Sequence, residues 1–170
     1  VAVLSVEIVG AVYGIILGFV IVALWEGFNA ADDNVAREAT ALSAIVRSAD
    51  AFAPDARERV RLAVGEYVHA VVDEEFEMLR EGRSSPRAAT AIDGIYTALQ
   101  SYEPRTETQR AFYTSAVARL DDMLAARRTR LEQAESSLPD ALRVMMYSGF
   151  VIIVTFMAAI GSARRGVQTV

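Results

Sequence analysis

The chain has no cysteine, no lysine, one histidine (His69) and one tryptophan (Trp25) in 170 residues. Without cysteine there is no disulfide framework, no thiolate nucleophile and no thiolate metal site. A lone histidine argues against multi-histidine metal centres. All 17 basic residues are therefore arginine, which a GC-rich coding sequence explains without appeal to function. Enzyme signatures are missing too: there is no Gly-x-Ser-x-Gly, no phosphate-cradling glycine loop and no zinc-protease histidine pair. No enzyme is expected, and no catalytic, cofactor-binding or metal-binding residue is assigned.

What the chain does have is apolar length. It is 53% hydrophobic with mean hydropathy +0.26, too apolar for an ordinary soluble domain, and the excess lies at the two ends. Ile8–Trp25 and Val144–Ala163 carry no charge, and each run is about long enough to cross a bilayer as a helix. The first run lacks a basic leader and a small-residue cleavage site, so a secretory signal is the weaker reading. The chain starts on valine and stops just after an apolar run, which reads as a fragment. Between the runs, residues 30–143 hold 15 arginines against 20 acidic residues. These charges are interspersed, so nucleic acid is not an expected partner. Membrane lipids and other membrane helices are.

The periodicity is helical throughout. The first helix continues past Trp25-Glu26 on Val35, Ala39, Leu42, Val46 and Ala49, to about Ala51. Pro54 opens a second helix striped by Val60, Val64, Tyr67, Val71 and Leu79, with Gly82 as its stop. Ser85-Pro86 opens a third on Ile92, Ile95, Tyr96 and Leu99, closed at Glu103-Pro104. Thr106 with Gln109 reads as a capping box for a fourth, striped by Phe112, Ala116, Leu120, Met123, Leu131 and Ala134. The expected fold is all-α: a transmembrane helix over 1–28, an extramembrane antiparallel bundle over 29–138, a second transmembrane helix over 139–165 and a tail over 166–170.

Two sets of residues stand out. In the membrane runs, Gly10, Gly14 and Gly18 recur every four residues, with Glu7 and Trp25 close to the same line, while Ser148, Thr155 and Ser162 recur every seven in the second run. These faces suit close helix packing or, less readily, a pore lining. In the bundle, Glu38, Glu75, Arg127 and Arg130 interrupt apolar faces. Charges inside a bundle must be paired. Counting 12 residues out from Glu26 to Glu38, and 12 back from Pro139 to Arg127, puts both about 18 Å along antiparallel helices. The expected pairs are Glu38 with Arg127 and Glu75 with Arg130. Glu66-x-x-His69 with Asp73 has half the spacing of a carboxylate–histidine metal site, but it faces away from the apolar stripe and reads as solvated surface. The acidic run Asp73-Glu74-Glu75 with Glu77 lacks the looped geometry of a calcium site.

Together, Gly14 to Trp25, Arg37-Glu38-Ala39 with Leu42, Tyr67, Val71–Glu75, Arg127-x-x-Arg130-Leu131 and Leu138-Pro139 resemble the bacterial bestrophin-like domain family. The likeness runs over nearly the whole chain. It departs at Glu75-Phe76, where an acidic residue followed by tryptophan is expected. It implies an all-helical membrane protein with further membrane helices, four in total. The family name suggests an anion channel, yet no bestrophin calcium clasp or aromatic pore neck is recognisable here.

Arg164-Arg165 after the second apolar run places that end in the cytoplasm by the positive-inside rule. The expectation is thus a bacterial inner-membrane protein with an extracytoplasmic bundle. It would act as an interaction or accessory subunit of a membrane complex. The alternative is a homo-oligomeric bestrophin-like ion channel.

Overall fold

The computed structural model describes residues 2–135, 144, 146–155 and 158, and every element among them is helical. The chain divides into two compact units, residues 1–29 with 138–170, and residues 30–137. Helix α1 (Ala2–Ala49) supplies residues to both.

In the first unit, α1 is long and apolar enough to cross a membrane, and it is the only such helix among the described residues. The second span expected over 139–165 is represented by a shorter apolar helix, α6 (Met146–Thr155). Its flanks, with Ser162, Arg164 and Arg165, lie outside the described residues. Among the described residues one helix, not two, is long and apolar enough to cross a membrane, and most of the expected second span falls on residues outside the described part. Tyr13 donates its hydroxyl to the Met146 carbonyl at 2.9 Å. The Tyr13 ring lies so close over Gly149 that a Cβ there would overlap it.

The second unit is built from the rest of α1 with α2 (Pro54–Ala70), a π-helical turn (Val71–Glu75), α3 (Phe76–Arg80), α4 (Pro86–Gln100) and α5 (Glu107–Glu135). Helix ends follow local chemistry. Proline opens α2 and α4, where its missing N–H costs nothing. Ser85 Oγ accepts the Ala88 N–H at 3.1 Å. Thr106 Oγ1 accepts the Gln109 N–H at 3.1 Å, while Gln109 Oε1 accepts from the Arg105 N–H at 2.9 Å, one residue upstream of the usual capping-box partner. Gly82, at φ +70°, makes the turn after α3 in a conformation that side chains rarely adopt.

One core joins Leu42, Ile45 and Ala49 of α1 to Val60, Val64 and Tyr67 of α2, Ile92, Ile95 and Leu99 of α4, and Ala116, Leu120 and Met123 of α5. Two buried stripes differ from the apolar ones read along the chain. On α1 the inward face is Asn34, Glu38, Leu42, Ile45 and Ala49, and Val35 is exposed. On α5 it is Ala116, Leu120, Met123, Ala126 and Arg130, while Phe112 and Ala134 are exposed. In both cases polar side chains take inward positions that a purely apolar count assigns to a neighbour.

Candidate functional site: a buried ion-pair layer

Glu38, Glu75 and Arg130 are 5%, 0% and 5% exposed. Each sits on a different helical segment, and antiparallel packing brings them level. Arg130 Nε donates to Glu38 Oε2 at 2.9 Å, and its Nη2 donates to Glu38 Oε1 at 3.2 Å and to Glu75 Oε2 at 2.8 Å. Arg127 Nη2 donates to Glu75 Oε1 at 2.5 Å. Three residues apart on α5, the two arginines share a face about one turn from each other.

The structure thus brings all four charged candidates together, with a different partner for Glu38. Glu75 does meet Arg130, as expected from the sequence, but Glu38 takes Arg130 rather than Arg127. Counting from Pro139 assumed that the helices leave a membrane surface at equal height. The actual register is set by Asn34 Nδ2 donating to Gln133 Oε1 at 2.8 Å and by Glu38 facing Arg130. That register runs one turn beyond Arg127.

Tyr67 is the member that charge pattern alone missed. Its hydroxyl donates to Glu38 Oε1 at 2.5 Å. The signal was there in its place on the α2 stripe, opposite the buried end of α1. The Phe76 ring covers the Arg130 guanidinium, 5.3 Å from ring centre to carbon. Among the described residues, Arg127 Nε and Arg130 Nη1 are buried without a hydrogen-bond partner.

Electrostatics make the layer self-neutralising. Burial alone raises the Glu75 carboxyl, but hydrogen bonds and charge from Arg127 and Arg130 outweigh it and hold it below its ordinary value. Burial, then the charge of Glu38, pushes the Tyr67 phenol well above its ordinary value. Burial works against the Arg130 cation, yet Glu38 and Glu75 raise its pKa, so it stays charged. Both carboxylates are engaged by cations and Tyr67 is held neutral. The layer has the character of a register lock between helices, not of a proton-transfer site.

The other candidates are dispersed. Gly10, Gly14 and Gly18 have no described atom within 4 Å of where a Cβ would stand. The groove between α1 and α6 is instead lined by Ile8, Val12, Tyr13 and Ile16 with Ser148, Gly149 and Ile152, so the glycine face is turned away from α6. Glu7 lies in α1, and its side chain is outside the described part. Thr155 returns its hydroxyl to the Val151 carbonyl at 2.7 Å. Glu66 is held by Arg87 through 2.8 and 3.0 Å hydrogen bonds, and His69 and Asp73 are exposed, 3.8 Å apart.

The family model of the bestrophin-like domain matches residues 1–170, the whole sequence. The chain belongs to the bestrophin-like domain family. No curated protein and no solved structure matches it. In this bestrophin-like chain, four of the segments that carried the resemblance supply the ion-pair layer, through Glu38, Tyr67, Glu75, and Arg127 with Arg130.

Proposed function

We propose that this bestrophin-like chain is a non-enzymatic interaction subunit of a membrane complex, with α1 as its anchor and its docking helix. The observation that carries the reading is the glycine face of α1. No described atom stands against Gly10, Gly14 or Gly18 along this apolar helix, and α6 lies on the opposite side. Glycine every four residues permits backbone approach that lipid does not need but a partner helix exploits. The reading includes a bacterial inner membrane and an extracytoplasmic polar unit, on the strength of Arg164-Arg165 after the second apolar run. The ion-channel alternative gains no support from Thr155, whose hydroxyl is satisfied within its own helix.

The absence of native cysteine gives a clean test. Ile21 lies within about 20° of the Gly14 line, and Phe19 lies about 140° from it. A thiol-to-photoreactive cross-linker on Ile21→Cys, in native membranes, is expected to yield an adduct with a second polypeptide, and on Phe19→Cys none. Equal adducts from both positions, or adducts with a second copy only, contradict the reading.

A further inference from the structure

We propose that the π-turn Val71–Glu75 is a one-residue register switch, through which Glu74 and Glu75 exchange places on Arg127 and Arg130. The turn is defined by the Phe76 N–H bonding the Val71 carbonyl, five residues back. Its flanks remain helical, with Ala70 at φ −62°, ψ −36° and Glu75 at φ −66°, ψ −37°. A π-turn holds one residue more than an α-helix needs, and such turns concentrate at working parts of proteins. Everything after it lags its α-helical phase by one position, about 100°. Closing the turn to α therefore sets Glu74 where Glu75 stands, and Glu75 where Phe76 stands. Asp73-Glu74-Glu75 supplies a carboxylate at the site in either register.

Both glutamates are engaged in the observed register. Glu75 takes the two arginines, and Glu74 Oε1 accepts from Ser85 Oγ at 2.9 Å. The same Ser85 oxygen caps α4, accepting the Ala88 N–H. In the other register Glu74 holds the arginines, Ser85 loses its acceptor, and Phe76 leaves the Arg130 guanidinium. The switch is thereby linked to the start of α4.

Beyond the arginine contacts of Glu75, the segment after the turn is lightly held. The part that turns is α3, five residues with none fully buried, and the chain after it passes through Gly82, which tolerates backbone change.

The test uses the full chain in lipid nanodiscs with nitroxides on Glu77→Cys and Arg128→Cys, both exposed positions in a protein without other thiols. The Glu77–Arg128 distance is expected to move by about 8 Å when Glu75→Gln is added, since a 100° turn carries a surface label that far. Deleting the exposed Val72 as well removes the extra residue and is expected to return the distance to the parent value. In denaturant unfolding, Glu74→Gln with Glu75→Gln is expected to cost more than the two singles summed, because each single keeps one carboxylate on the arginines. An unmoved distance, losses that simply add, or a Glu75→Gln protein that no longer folds overturns the proposal.

Discussion

Arg130 on α5 grips both oxygens of Glu38 on α1 across 92 residues of sequence, by hydrogen bonds of 2.9 and 3.2 Å. The same guanidinium also holds Glu75, so one side chain bridges three helical segments. Arg130→Met strips both buried carboxylates of this partner, and the loss expected in denaturant unfolding is about 3–5 kcal/mol. Arg127 is 14% exposed along its side chain and, among the described residues, bonds Glu75 alone. Arg127→Met is expected to cost less, about 1–3 kcal/mol. The reverse order contradicts the assignment of Arg130 as the hub.

Tyr67→Phe removes a hydrogen bond to a carboxylate and is expected to cost about 1.5–3 kcal/mol near neutral pH. Its pH dependence has a definite sign. The folded phenol is raised above its ordinary 10.0, so its contribution is full below that value and is lost as the pH climbs above it. Unfolding midpoints measured between pH 8 and 11 should fall in the parent and fall less in Tyr67→Phe. Parallel curves argue against a buried neutral phenol.

Glu75 gives the opposite limb. Its folded carboxyl lies below the ordinary 4.5, so its stabilisation is present above that value and disappears as the pH drops through the lower folded one. Glu74→Gln combined with Glu75→Gln, which leaves no carboxylate on the arginines in either register, is expected to be less stable than the parent at pH 7 and to show a shallower decline on acidification. An unchanged acid limb contradicts the arginine contacts as its cause.

Two glycines in the apolar unit are expected to behave differently. A Cβ on Gly149 overlaps the Tyr13 ring, whereas one on Gly14 meets no described atom. Gly149→Leu should perturb the fluorescence environment of the apolar unit in the isolated chain. Gly14→Leu should leave that signal and the unfolding of the bundle unchanged, and lower the recovery of partner on gentle extraction. Equal behaviour of the two variants contradicts the open glycine face.

Helix boundaries and caps were legible because they rest on local chemistry: Pro54, Ser85-Pro86, Thr106 with Gln109, and Gly82. The four charged residues of the ion-pair layer were legible because charges on apolar faces need partners. Which arginine meets Glu38 was not, since register between helices depends on packing over distances that residue counting ignores. Tyr67 escaped notice because a tyrosine on an apolar stripe looks like core until its hydroxyl finds an acceptor. The π-turn left no periodic mark, as one extra residue in a stripe of valines disturbs the pattern too little. The open glycine face of α1 was visible as spacing, but that α6 packs on the other side came only from the fold.

The central claim is that this chain works as a subunit docked to a different polypeptide. The most direct test is the mass and subunit content of the full-length protein, extracted gently from its native membrane. Co-extraction with a second polypeptide at fixed stoichiometry, lost in Gly14→Leu, is the expected result. A closed homo-oligomer with no second polypeptide contradicts the account and turns attention to ion flux, with Glu7 as the first position to mutate.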